Sequence, residues 1–598
     1  MSGGATAVRN RGVGPARAQP HVGELRPKGA PTIDMVLGVS DADAPAFPGA
    51  RRPDRQRSVS SHGLRLAVHE WGDADAPALL LAHGGFDFAG TYDVFAPLLA
   101  DAGWRVVSWD HRGHGDSEHA TLYSWEADVR DALAVLDATT RAPVPFIGHS
   151  KGGSVVMQLA DACPHRCTHL VNLDGLPSRR NWPDVADHER TRLLSSEVAG
   201  WLDHRRSAAD KQRKPGTIDE LARRRQRMNP RLTLEWLRYL VPIGAAQDPA
   251  DPTLWRWKID PSMRFGGFGP WRPEWSMARM PGLGMPVLGI LGLIGEEMGW
   301  GTQLEDVEPW LPPGAEFVTL EDAGHFVHIE HPWRVAGLVT DFLGDPPEAA
   351  GAVVGARVAG TRLPQHVVPR PVPTGAPTFL LHGRTRLALH TLRGGKGPSL
   401  LHLHGLAERS PTEVPAALES WPGPIFALDF TGHGFSSVPV GGGYTAEVLM
   451  ADADTALDHL GGATVFGRGL GAYVALLLAG ARPAMVHGAV LFDGPGLLGG
   501  GNGPGSPSVV AIDPAAVAPP DPFALADLVR DLRPPDYAGT FARLATQSSA
   551  LEHPIAVAAV NRPEWLAAVV REPGVLERPI GDALARYAGS AAIAQSGV

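Results

Sequence analysis

The chain has 598 residues, 44% hydrophobic and 20% charged, with a net charge of −10, enough for two or more domains that each bury a core. The acidic balance argues against nucleic acid or a membrane surface as partner. No apolar run approaches the ~18 residues of a spanning helix, and a charged-then-apolar leader is not seen. The only two cysteines, Cys163 and Cys167, exclude a disulfide scaffold. With His165 and His169 they have a spacing that a metal can use, but a helix end running into a strand explains them better. No metal or cofactor is therefore expected, and the cytoplasm is the expected compartment.

Residues 1–57 are rich in Gly, Pro, Ala and Arg without periodicity and are expected to form a disordered tail with a short ordered patch at Ile33–Val39, and Arg51-Arg52 reads as part of a loop. Leu64–Trp71 then alternates like an outer antiparallel strand. Ala78–Ala82 reads as a fully buried strand ending in His83-Gly84-Gly85-Phe86. Tyr92–Ala102 is predicted helical, Val106–Trp109 a strand, and Asp110-His-Arg-Gly-His-Gly-Asp-Ser117 a glycine loop. Asp128–Ala138 places Val129, Leu133 and Leu136 on one helix face.

Val144–Ile147 is a short apolar run that meets Gly148-His149-Ser150-Lys151-Gly152, and a helix opens at Ser154. This is Gly-x-Ser-x-Gly at a strand-to-helix junction, the nucleophile-elbow pattern. A serine hydroxyl attacks only if a base can reach it, and a sharp turn holds it clear of the sheet. The next strand, Leu170–Leu173, ends at Asp174-Gly175. Such alternation predicts an α/β fold with a doubly wound, mostly parallel sheet and ligands at the carboxyl ends of its strands.

Residues of about 176–281 interrupt the alternation. Thr217-Ile-Asp-Glu220 is a capping box that opens a helix over Leu221–Met228. Trp182, Trp201, Trp236, Trp255, Trp257, Trp271 and Trp275 all fall here, either to line an apolar pocket or to pack the insertion onto the body. Arg205-Arg206 and Arg223-Arg-Arg225 read as solvated helix faces. Strands resume at Pro286–Leu291 and Glu316–Leu320, followed by the loop Glu321-Asp-Ala-Gly-His-Phe326.

His83-Gly84, Asp110–Ser117, Gly148–Gly152 and Ala323-Gly-His-Phe326 together resemble the successive signatures of the α/β-hydrolase superfamily, over residues of about 62–343, and within it the serine-hydrolase-like branch. The resemblance implies a domain over 58–344, with the insertion as a helical cap above the pocket. Ser150 is the candidate nucleophile and His325 the general base. Backbone N–H groups of Lys151 and of Gly85 or Phe86 are the candidate oxyanion hole. For the acid, the commonest family arrangement points to Glu296 or Glu297, although Gly295 stands where the family usually has Asp. The other arrangement points to Asp174, and all three satisfy the chain order serine, acid, histidine.

A linker is expected over 345–377, and the chain then repeats itself. Leu400–Gly405 matches Leu79–Gly84, Asp429–Ser436 matches Asp110–Ser117, and Phe466–Ala472 matches Ile147–Gly153. One constant offset relates Asp110 to Asp429, Ser150 to Gly469 and Asp174 to Asp493, the mark of a duplication. The serine position is Gly469 and no later Gly-His follows, so 378–598 is expected to be a truncated, degenerate copy without nucleophile, most simply a scaffold. The expected activity is cofactor-free hydrolysis of an ester, thioester, lactone or activated carbon–carbon bond through an acyl-enzyme on Ser150. The expected partner is a small apolar carbonyl substrate, with homo-oligomerisation left open. The competing reading is a non-catalytic ligand-binding protein.

Overall fold

A computed structural model describes residues 46–176, 188–207, 211–263, 278–296, 299, 301–347, 375–502 and 519–596. Its first sheet contains β1 (Arg55–Ser61), β2 (Leu64–Trp71), β3 (Ala78–Ala82), β4 (Arg105–Trp109), β5 (Val144–His149), β6 (Cys167–Leu173), β9 (Val287–Gly292) and β10 (Glu316–Leu320). The hairpin β7 (Ala245–Asp248) and β8 (Asp251–Trp257) stands apart from it. The spatial order is β1-β2-β4-β3-β5-β6-β9-β10. β2 runs antiparallel to β1 and β4, and the remaining neighbours are parallel. Helices cover both faces, so β5 is buried along its whole length, as expected of a central parallel strand.

The helices that matter for the site are α1 (Phe95–Asp101), α2 (Trp125–Thr139), α3 (Lys151–Ala162), α4 (His188–Ser207), α5 (Ile218–Met228), α6 (Leu234–Gly244) and α7 (Pro332–Leu343). Ser124 caps α2 by accepting from Ala127 N, and Thr217 and Glu220 form the reciprocal capping box of α5. The continuous helix expected over Tyr92–Ala102 is instead a 3₁₀ turn, Ala89–Tyr92, followed by α1. The break lies at Asp93, whose carbonyl accepts from Arg51 N at 2.7 Å and so leaves the helical ladder. Its carboxylate is held by Arg52 at 2.9 Å and Tyr239 at 2.6 Å. Residues 46–57 are therefore ordered although they fall in the stretch expected to be a tail; the rest of that stretch, Ile33–Val39 included, lies outside the described residues. β1 opens at Arg55, and Arg55 and Arg57 both bond to Glu70 of β2. Most of the expected linker lies outside the described residues.

The second sheet contains β11 (Thr378–His382), β12 (Thr385–Arg393), β13 (Leu400–Leu403), β14 (Ile425–Asp429), β15 (Ala463–Arg468), β16 (Val486–Phe492), β17 (Ile555–Val557) and β18 (Val575–Glu577). Its order, β11-β12-β14-β13-β15-β16-β17-β18, repeats the first strand for strand, so the fold occurs twice. The shortening expected of the second copy leaves its sheet complete, because it falls between β16 and β17, where the first half carries its cap. Details recur as well. His69 bonds to Asp110, which also accepts from Ala89 N and Asp116 N. His390, Asp429, Ser410 N and Phe435 N repeat this arrangement. Burial alone would raise the Asp110 carboxyl, yet His69 and these N–H donors bring it below the ordinary range.

The two halves share one core boundary. Leu122, Val198 and Leu202 of the first half are buried in the core of the second, and Trp201 packs on the same cluster. Arg205, expected to be solvated, donates from Nε to His382 Nε2 at 2.9 Å. Arg206 pairs with Asp454 and Asp458. These two arginines are thus interfacial, and the reason is long-range: their partners lie on the second half. Of the other run, Arg223 pairs with Asp219 at a half-exposed site as expected. Arg225 instead bonds to buried Asp87 and lies over the Trp257 ring.

Candidate active site

Ser150 sits between β5 and α3 with φ 51° and ψ −122°, a conformation that costs a non-glycine residue free energy and persists only where its surroundings enforce it. Enforcement comes from both neighbours. A Cβ on Gly148 would lie 2.4 Å from Gly152 O, and one on Gly152 would lie 2.2 Å from Ala82 O. Helix and strand therefore cross with no side chain between them, and Ser150 N donates to Leu173 O of β6 at 3.1 Å.

His325 lies in the loop after β10, nearly buried. Its Nδ1 is 2.6 Å from Asp174 Oδ2. Asp174, at the end of β6, has φ 48°. It is fixed at both ends, because its N donates to Ile290 O at 2.8 Å and its Oδ1 accepts from Gly292 N at 3.1 Å. Of the other acid candidates, Glu296 accepts from the backbone N of His325 at 2.6 Å. It thus holds the loop while the imidazole pairs with Asp174. Burial raises the Glu296 carboxyl, and that hydrogen bond opposes the rise. Glu297 lies outside the described residues.

Neutral histidines surround this pair. Burial, then the adjacent His328 and His325, push His149 well below the usual imidazole range. Burial brings His328 down to about 3. A neutral His149 within 2.9 Å of the His325 carbonyl must carry its proton on Nε2, since the carbonyl can only accept. His328 packs against Tyr92, Phe95 and His149.

The His83-Gly84-Gly85-Phe86 loop ends β3. His83 donates from Nδ1 to Gly84 O at 2.7 Å, and its Nε2 accepts from His111 N at 2.9 Å. His114 donates from Nδ1 to Arg112 O, and its Nε2 accepts from Phe86 N at 3.1 Å. The Phe86 N–H is therefore engaged, which leaves Gly85 and Lys151 as the oxyanion candidates. Sequence reasoning missed His114; its trace was the Gly-His-Gly that recurs around His433.

The cap supplies α4 to α6 and the β7–β8 hairpin. Trp236 is buried with Phe88, Val94 and Phe326 and stacks on Tyr239 at 5.2 Å, while Trp255 and Trp257 pack against the same cluster. These rings join cap to body; Trp182, Trp271 and Trp275 lie outside the described residues. A cavity of about 410 Å³ on this seam has Thr91, Trp236, His328 and Trp333 among its walls. Neither Ser150 nor His325 lines it, so the side-chain chemistry locates the site.

The second half keeps the elbow backbone and fills the site. Gly469 has φ 58° and ψ −121°, and Ala407 repeats the positive φ of Phe86. Leu406 N and Leu470 N, the counterparts of Gly85 N and Lys151 N, both donate to Pro495 O, at 3.0 and 2.9 Å. A backbone carbonyl of the chain itself thus sits between the two donors. Asp493, the counterpart of Asp174, accepts from Val560 N and from Asn561 N and Nδ2 instead of from a histidine. A Cβ on Gly469 would lie 2.1 Å from Pro495 O. Gly469→Ser is therefore expected to cost about 1–3 kcal/mol through overpacking, read as a lower denaturant midpoint; an unchanged midpoint would contradict this packing.

A doubled, mostly parallel sheet with a serine elbow and a histidine–carboxylate pair at its strand ends defines a class, the α/β-hydrolase fold. The family model described as alpha/beta hydrolase fold matches residues 77–332. Among curated relatives, the chain is 33% identical over 124 residues to a serine hydrolase-like protein of Dictyostelium discoideum, covering 19% of this chain and 34% of the relative. It is 33% identical over 147 residues to the sn-1-specific diacylglycerol lipase ABHD11 of Mus musculus, covering 24% and 48%. The chain thus spans between a third and a half of the length of these relatives. Among solved structures, a thioesterase domain from the curacin biosynthetic pathway is similar at 20% identity and a TM-score of 0.41, covering 48% of this chain and 99% of that one. No helix among the described residues is long and apolar enough to cross a membrane.

Proposed function

We propose that the first half is a serine hydrolase acting on a small apolar carbonyl substrate: an ester, a thioester, a lactone or a carbon–carbon bond beside an activated carbonyl. The carrying observation is the 2.6 Å contact of His325 Nδ1 with Asp174 Oδ2, at the same end of the sheet as the strained Ser150. With Nδ1 committed to the carboxylate, Nε2 is the nitrogen left to take the Ser150 proton as the hydroxyl oxygen attacks the carbonyl carbon. The Gly85 and Lys151 N–H groups receive the developing oxyanion. His325 then returns the proton to the leaving group, which departs as the acyl–Ser150 ester forms. Water attacks that ester with the same imidazole as base, releasing the acid and restoring the serine.

A reactive serine of this kind is labelled by a fluorophosphonate. The expected outcome is one probe per chain, mapped to Ser150 by mass spectrometry, and none on Ser150→Ala. An unlabelled wild-type chain would overturn the reading. The same measurement tests the proposal that the second half is a pseudo-hydrolase, because no label is expected on it.

A further inference from the structure

Asp260, just beyond β8 in the cap, has a fully buried side chain. Its carboxylate accepts from Tyr123 OH at 2.5 Å, and its N donates to Gly113 O at 2.8 Å. The second half contains the same device: Tyr444 OH donates to Asp521 Oδ2 at 2.6 Å, and Asp521 N donates to Gly432 O at 2.8 Å. There the second carboxylate oxygen is satisfied locally, by Phe523 N. In the first half Ser262 N meets Oδ1 in the same local way at 2.9 Å, and a further donor reaches the carboxylate from across the molecule. Arg384, in the turn between β11 and β12, donates from its two terminal nitrogens to Asp260 Oδ2 and Oδ1 at 2.5 and 3.0 Å, and to Ala120 O at 3.0 Å. Hydrogen bonding led by Arg384 holds the Asp260 carboxyl below its ordinary range against burial, whereas burial raises Asp521.

Asp260 in turn touches both supports of the oxyanion loop. Through Gly113 O it anchors the turn that carries His114, whose Nε2 accepts from Phe86 N. Through its own carbonyl it accepts from Arg213 at 2.8 Å, and the Arg213 guanidinium lies 5.8 Å from the centre of the Phe86 ring. Phe86 follows Gly85 directly and has φ 59°, so a shift of either support moves the Gly85 N–H.

We infer that Arg384 is a positioning residue for the oxyanion loop, so that the second half takes part in catalysis by setting the geometry of a site it does not line. This rests on the hydrolase reading above. A bidentate planar donor is needed, because each carboxylate oxygen of Asp260 is met separately.

The test compares wild type, Arg384→Met and Arg384→Lys on a 4-nitrophenyl ester, with rates expressed per active site titrated by the fluorophosphonate. Misplacing one donor by a fraction of an ångström is expected to lower kcat per titrated site about ten- to a hundredfold in Arg384→Met, with KM changed far less. Affinity for a trifluoromethyl ketone, which presents the same oxyanion, should fall by the same factor as kcat/KM. Arg384→Lys should recover part of the loss. A folded Arg384→Met whose kcat per titrated site and ketone affinity equal those of wild type overturns the inference and leaves the hydrolase reading intact. So does a loss explained wholly by fewer titratable sites. A wild-type chain that neither labels nor turns over overturns both.

Discussion

Asp174→Asn is expected to lower kcat about 10⁴-fold with the fold intact, since the loss of an equivalent carboxylate in a serine–histidine–acid site has that size. The substitution is close to isosteric, so the backbone bonds of Asp174 to Ile290 and Gly292 can persist, the latter through the amide oxygen. What is lost is the negative charge 2.6 Å from His325 Nδ1. In the proposed mechanism that charge would stabilise the imidazolium formed when the serine proton is taken, and would fix the proton on Nδ1 so that Nε2 is free to accept. An asparagine that turns its NH₂ toward the ring favours the opposite tautomer. Glu296→Gln is the control: it keeps an acceptor for the His325 backbone N–H and is expected to lower kcat less than about tenfold. Steady-state kinetics on both variants checks this. A reversed order of the two effects would move the acid role to Glu296.

Arg112→Leu is expected to destabilise the whole chain by about 3–5 kcal/mol, the range for removing one partner of a buried ion pair. Arg112 and Asp131 both have fully buried side chains, and the guanidinium meets the carboxylate at 2.7 and 2.9 Å. Burial alone would discourage its charge, but Asp131 raises its affinity for the proton above the usual arginine value. Removing the arginine leaves Asp131 charged with no counterion, and it also frees the carbonyls of Gly441 and Gly442, which accept from Arg112 at 3.3 and 3.4 Å across the seam. Arg112→Lys should rescue poorly, because a single ammonium cannot meet the carboxylate in two places. The double variant Arg112→Leu with Asp131→Leu should regain much of the loss. Denaturant unfolding of the three variants checks these values; an Arg112→Leu variant within about 1 kcal/mol of wild type would show that neither the buried pair nor the seam contacts of Arg112 carry this stability.

Most of the fold and part of the candidate site were legible as local signals. The central strands were visible because a strand buried on both faces must be apolar and short, whereas β1, only half-buried, and the short β17 and β18 were not. The elbow was visible because Gly148 and Gly152 flank Ser150 in one short run at a strand-to-helix junction, although the contact that demands Gly152 comes from Ala82. The duplication and the missing serine at Gly469 follow from repeated motifs at a constant spacing. What stayed hidden was every pairing made across long stretches of chain. Asp174, Glu296 and Glu297 all fit the required order, and only the return of the loops after β6, β9 and β10 puts Asp174, 151 residues before His325, on its imidazole. Arg205 and Arg206 look like any solvated helix face until the second half brings up His382 and Asp454, and nothing near Arg384 in sequence signals its hold on Asp260. By itself, then, the sequence determined the alternation of strands and helices, the turn that presents Ser150, and which half has glycine at the elbow position, since each is written in short local runs. The carboxylate on the histidine, the Pro495 carbonyl that accepts from both donors of the second half, and the bond from one half to the cap of the other were decided by tertiary structure alone, because a hydrogen bond across the fold leaves no periodicity in either segment that makes it.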